Sequence, residues 1–189
     1  PYTVTSEKVL ISTRSDFCPA FADDKTLVFT TTRTTATGND LSGVTAMKYA
    51  DIFCVKRDEK GRWKTPEPLE GDVNTEFEEG ACQFSPDGKT MYLTVCRRDA
   101  TYPRMAEIYT SARQDAKWAK PQPLKVTADT LSSYAHPAVS PDGRWLYFTS
   151  DMPGGQGGFD LWRASLGSHG LGAVENLGPD INTPGDEMF

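Results

Sequence analysis

At 189 residues the chain fits one domain of ordinary size, long enough to bury a core of its own. Hydrophobic residues make up 38%, aromatics 11% and charged residues 24%, and no window approaches eighteen consecutive apolar residues, so no helical membrane span is written in it. Lys and Arg number 20 against 26 Asp and Glu; the net charge of −6 argues against a nucleic-acid partner, and no basic amphipathic segment suits an anionic lipid surface.

A chain that opens at Pro1, without Met or a signal peptide, reads as a processed product or an excised piece. Its 16 Gly and 13 Pro fall in punctuating clusters, the mark of short strands joined by turns, and no useful helical periodicity is present. Cys18, Cys54, Cys82 and Cys96 show no CxxC spacing and have only two histidines to help them, which disfavours zinc. Disulfides and free buried thiols both stay open, the thiols being the simpler reading.

In chain order, "VLIST" at Val9 to Thr13 reads as a strand. "PAFADDKTLVFT" (Pro19 to Thr30) gives two strands about an acidic turn, and "DIF" at Asp51 opens a third after the polar loop Thr31 to Ala50. "WKTPEPL" (Trp63 to Leu69) makes a short edge strand with Pro near its end, and "GDVNT" (Gly71 to Thr75) turns the chain. The same order then returns. "ACQFSPDGKTMYLT" (Ala81 to Thr94), "EIY" at Glu107 and "WAKPQPL" (Trp118 to Leu124) repeat the landmarks, with Phe84 falling 63 residues after Phe21. "PAVSPDGRWLYFT" (Pro137 to Thr149), "DLW" at Asp160, "LGAVENL" (Leu171 to Leu177) and "PDINT" (Pro179 to Thr183) repeat them again, with Val139 falling 55 after Phe84.

In "SPDG", Pro pre-sets φ, Asp closes an Asx-type turn and Gly accepts φ > 0. Four short antiparallel strands recurring at this period predict an all-β chain, a β-propeller of four-stranded antiparallel blades, about three of them in this chain. A β-sandwich, the runner-up, gives the landmarks no reason to repeat. The expected division is residues 1–14 as the outer strand of a preceding blade, blades at 15–75, 76–131 and 132–183, and the start of a next blade at 184–189. Since propellers close with about four to eight blades, the chain is expected to be part of a larger one.

These repeats resemble the PD40 repeats of the TolB-like and WD40-like propellers, over residues 15–189. More narrowly, "FTSDMPGGQGGFDLW" with "NLGPDINTPGDEMF" resembles the propeller of OmpA-family envelope proteins, whose PorE-like members belong to the type IX secretion machinery. The resemblance implies a protein-interaction scaffold in the bacterial envelope, periplasmic and outer-membrane associated. Its implied partners are envelope proteins of a secretion or outer-membrane complex, without nucleic acid or direct membrane insertion. Peptidoglycan is reached in that family through a domain absent from this chain. The first unit departs from the pattern, with "ADD" in place of "SPDG".

Repetition also filters the chemistry. Asp51, Glu107 and Asp160 occupy one slot ahead of each third strand and read as caps; Asn74, Asp129 and Asn182, each followed by Thr, read as turn-formers. "EFEEG" (Glu76 to Gly80) and "PGDEM" (Pro184 to Met188), with Asp72 or Asp180, match no calcium loop. Neither GxSxG nor HExxH is present; Ser133, His136 and Asp99 make only a nominal triad, His169 sits in a Gly-Ser loop, and "GGQGG" (Gly154 to Gly158) lacks the Lys of a phosphate cradle. No enzymatic activity, cofactor or metal is expected. Alternatives are a propeller binding glycan or peptidoglycan fragments, or the accessory propeller of a hydrolase. The unrepeated segment "CRRDATYPRM" (Cys96 to Met105) supplies the candidate partner-binding residues Arg97, Arg98, Tyr102 and Arg104, joined by Tyr134 and His136 on an inner strand, because Arg and Tyr dominate interface energetics.

Overall fold

The computed structural model describes residues 2–33, 35, 49–97, 101–168 and 170–188, and these contain thirteen strands and no helix. The first sheet is β1 (Asp16–Asp23), β2 (Thr26–Thr31), β3 (Asp51–Lys56) and β4 (Glu67–Pro68), hydrogen-bonded in that order. In the second, β5 (Glu78–Phe84), β6 (Thr90–Cys96) and β7 (Glu107–Gln114) run in order, and both β8 (Lys117–Trp118) and β9 (Gln122–Pro123) pair with β7. The third is β10 (Tyr134–Val139), β11 (Trp145–Ser150), β12 (Asp160–Gly167) and β13 (Gly170–Asn176). Every pairing within them is antiparallel. The expected all-β architecture of propeller blades is therefore present, three blades in sequence.

The blade edge differs from one continuous fourth strand in the first two units. Trp63 bridges Arg57 before β4 forms, as Trp118 pairs with Arg113 before β9 forms. Pro66 and Pro121 lie in the gaps, and a residue without an N–H interrupts a ladder. Val9 to Thr13 belongs to no strand; Leu10 packs on the outer face of the first blade against the cluster of Phe29, Phe53 and Val55.

Each "SPDG" closes through one hydrogen-bond set. Ser85 Oγ donates to Asp87 Oδ1 at 2.6 Å, that oxygen accepts from the Lys89 amide at 3.0 Å, and Thr90 N donates to Ser85 Oγ at 2.9 Å. Ser140, Asp142, Arg144 and Trp145 repeat it at 2.6, 3.1 and 2.9 Å. "ADD" keeps only the Asx element, Lys25 N to Asp23 Oδ1 at 2.9 Å. The turn survives the lost motif because the carboxylate does most of the closing.

A second repeat lies in the inner strands. Cys18, Ala81 and His136 all carry positive φ (49°, 44° and 52°), each at a register shift against the neighbouring strand. They are spaced by the same 63 and 55 residues as the sequence landmarks. The bulge turns a backbone amide out of its own sheet toward the blade before it. Ala81 N donates to Thr30 Oγ1 at 3.0 Å, and His136 N donates to Thr94 Oγ1 at 2.9 Å. Apolar side chains complete each joint. Val28, Ile52, Leu69 and Val73 of the first blade bury with Phe84, Met91, Leu93 and Trp118 of the second. Ile108 of the second buries with Tyr134, Leu146, Phe148 and Trp162 of the third.

Candidate functional site

One end of the blades gathers the starts of β3, β7 and β12, and there two of the repeated carboxylates, Asp160 and Glu107, differ in what they hold. Asp160 is fully buried and accepts from the amides of Gln156 and Gly157 and from Asn176 Nδ2 at 3.0 Å. "GGQGG" is thus an anion cradle whose anion is the chain's own carboxylate. Glycine is required there by proximity: a Cβ on Gly157 would sit 2.4 Å from the carbonyl oxygens of Thr183 and Gly185. Gly158 N donates to Gly185 O at 2.9 Å and Phe159 N to Asp186 Oδ1 at 2.8 Å, so the glycine loop and the "NTPGDE" run form one joint.

In the second blade the same slot holds Glu107, which collects the unrepeated cations. Arg104 Nη1 donates to Glu107 Oε1 at 2.6 Å, Tyr102 Oη to Glu107 Oε2 at 2.7 Å, and Arg97 Nε stands 3.9 Å from that second oxygen. Arg104 also donates to the Asp129 carbonyl and lies 5.4 Å above the Tyr134 ring, with a side chain only 14% exposed. Arg97 is more open, at 34%. Its guanidinium sits among the rings of Tyr102 at 5.1 Å, Phe77 at 5.2 Å and Tyr109 at 5.9 Å, and donates to the Tyr109 hydroxyl. That hydrogen bond, with the nearby phenols and Glu107, raises the guanidinium's already high pKa. The result is a cation fixed in an aromatic bracket with one side toward solvent.

The structure therefore joins Arg97, Tyr102 and Arg104 and separates two other candidates from them in role. Tyr134, 2% exposed, packs tilted against Phe148 at 6.0 Å and shares a hydrogen bond of 2.7 Å with Thr127; it is a core residue, because at the head of β10 it is buried against Ile108 of the preceding blade. His136 is the bulge residue of β10, and burial holds its imidazole below the usual value. Arg98, Asp99 and His169 lie outside the described residues. All four cysteines are free thiols, Cys82 fully buried with its pKa pushed up to about 12 by desolvation. Among the described residues no three His, Cys, Asp or Glu side chains converge as metal ligands.

Sequence reasoning placed Glu79 only in the acidic cluster Glu76 to Gly80 and missed its buried role. It is 1% exposed and accepts from Thr75 N at 3.0 Å and from the Thr75 hydroxyl. Burial, opposed by the Thr75 hydrogen bonds and reinforced by the charges of Asp51 and Glu76, raises its carboxyl to about 7. The signal was present: the repeat offsets place Asp16, Glu79 and Tyr134 at one position.

No protein-family model matches the chain. No curated protein matches it either. Among solved structures, TolB from Acinetobacter baumannii superposes with a TM-score of 0.53 at 18% identity, over 86% of this chain and 32% of that one. The fold is TolB-like. A puromycin hydrolase gives a TM-score of 0.47 at 13% identity (90% and 33% covered), and a puromycin-hydrolyzing peptidase from Mycobacterium tuberculosis gives 0.44 at 16% (94% and 34%). The chain thus spans about a third of the length of each of these proteins. The expectation of no enzymatic activity is corrected by this comparison: proteins named for hydrolysis stand among the similar structures, so the fold gives no ground for excluding catalysis.

Proposed function

We propose that the chain is the protein-interaction part of a larger β-propeller in the bacterial envelope, periplasmic and outer-membrane associated, akin to the propellers of OmpA-family and type IX secretion components. The observation that supports this most is the bracketed Arg97. Its guanidinium is pre-oriented by three rings and one hydroxyl yet about a third exposed, so it can meet a partner carboxylate or carbonyl with little further loss of rotamer freedom. Arg104, Glu107 and the Asp129 carbonyl support the loop from beneath. The TolB-like fold supports a rigid disc with loops on its two faces. Residues 1–14 are proposed to serve a preceding blade and residues 184–189 to begin a following one.

The test is affinity capture from envelope extract at controlled salt, comparing the chain with Arg97→Glu and Arg97→Glu/Arg98→Glu. Capture of a defined envelope protein should fall on the order of tenfold with the first reversal. Equal recovery by all three proteins would remove this loop as the contact.

A further inference from the structure

The opposite end of the blades carries a different surface. A cavity of about 330 Å³ opens between the first and second blades, floored by Leu69 and Trp118. Lys25, Lys56, Arg57 and Arg113 stand around it. A second cavity of about 490 Å³ adds Lys64 and shares Cys54, Lys56 and Glu70 with the first, so the two form one groove. Five cations thus line one groove of a chain whose net charge is −6.

Its three carboxylates offset this only in part. Asp23 holds the Lys25 amide of its own turn and feels the Arg113 charge, Glu70 faces Lys117 Nζ at 3.6 Å, and Glu67 completes the set, so cations still outnumber acids around the groove. Among the described residues none of the five cations forms an ion pair within 4.0 Å. Two of them are pre-positioned. Arg57 lies 4.3 Å above the Trp63 ring; Arg113 lies 5.9 Å above the Trp118 ring, its Nε donating to Asp115 O at 3.3 Å. Exposed cations that already have a fixed orientation, around an apolar floor of ligand-pocket size, select an occupant that is both anionic and partly apolar.

We propose that this groove binds an extended acidic peptide segment with an apolar residue in it. Its carboxylates meet Lys25, Lys56, Arg57 and Arg113, and its apolar side chain rests on Leu69 and Trp118. A free inorganic anion would satisfy the rim and leave the floor bare. The site is independent of the Arg97 loop, at the other end of the strands.

The probe is a fluorescein-labelled peptide, Asp-Glu-Leu-Asp-Glu, read by fluorescence anisotropy at low salt. Saturable binding is expected, weakened on the order of tenfold or more by Lys56→Glu/Arg113→Glu and unchanged by Arg97→Glu or Lys125→Glu. Replacing the peptide's Leu by Ser should weaken it as well, and millimolar phosphate should not displace it. On the wild-type chain the peptide should also slow alkylation of Cys54, which lines both cavities, while Cys18 and Cys96 react as before. Absence of saturable binding, indifference to the double reversal, equal affinity for the Ser peptide, or no protection of Cys54 would each overturn the proposal. The Cys54 readout needs no variant, so a misfolded mutant cannot rescue it.

Discussion

Replacing Glu79 by Gln tests whether a buried acid controls the joint between the first two blades. Its carboxyl, near 4.5 when unfolded, is raised to about 7 in the fold, chiefly by burial. A raised carboxyl favours the protonated folded form. The stabilisation is therefore full below about pH 4.5 and lost as pH rises through about 7. At 1.36 kcal/mol per unit the shift amounts to roughly 3 kcal/mol across that window. The amide in Glu79→Gln would not titrate, but its single carbonyl oxygen replaces two acceptors that now serve Thr75, which costs about 1 kcal/mol at every pH. Urea unfolding followed by Trp fluorescence should then show the variant about 1 kcal/mol less stable at pH 4.5 and about 2 kcal/mol more stable at pH 8. The lowered imidazole of His136 works in the opposite sense over neighbouring pH values, but it is present in both proteins and cancels from the difference. Parallel stability profiles, without a crossing, would refute the reasoning.

Gly71→Ala should destabilise by about 3 kcal/mol or more in the same assay, since φ there is 121° and a Cβ would lie 2.1 Å from the Trp118 carbonyl oxygen. Thr94→Val removes the acceptor of the His136 amide and should cost about 1–3 kcal/mol, whereas Thr149→Val, losing only a contact of 3.5 Å to Ala135 O, should cost under about 1 kcal/mol. Asn182→Ala strips the Leu161 amide of its acceptor at 2.8 Å and leaves the Leu161 carbonyl with the Leu177 amide alone, so it should lower stability by about 1–3 kcal/mol, with early amide exchange at Leu161.

The fold was legible because its instructions are local and repeated. Ser85-Pro86-Asp87-Gly88 and Ser140-Pro141-Asp142-Gly143, with the two amides that follow each, contain every atom their turns use, and the strand after each begins with the alternation of a half-buried strand. Asn74 and Asn182 were rightly read as structural but for too local a reason. Each clamps the amide and carbonyl of a third-strand residue about twenty places earlier, Ile52 and Leu161, a partnership that no short window contains.

The candidate site was half legible for the same reason. Tyr102 and Arg104 meet Glu107 within five residues, and sequence proximity suggests such a cluster. Arg97 acquires its bracket only because Phe77, at the head of the same blade, and Tyr109, on the adjoining strand, arrive from both sides. Tyr134 was misjudged because an aromatic residue at a strand's start has two faces available, and only the packed neighbour decides between them. The offset that aligns Tyr134 with Glu79 carries the missing information: both positions are buried against the preceding blade, one filled by a ring and the other by an acid that holds Thr75. A position that the repeat makes interior stays interior where a preceding blade covers it, as at Glu79 and Tyr134 but not at the exposed Asp16 of the first blade, so a polar residue at a covered copy signals a buried partner before it signals a surface contact.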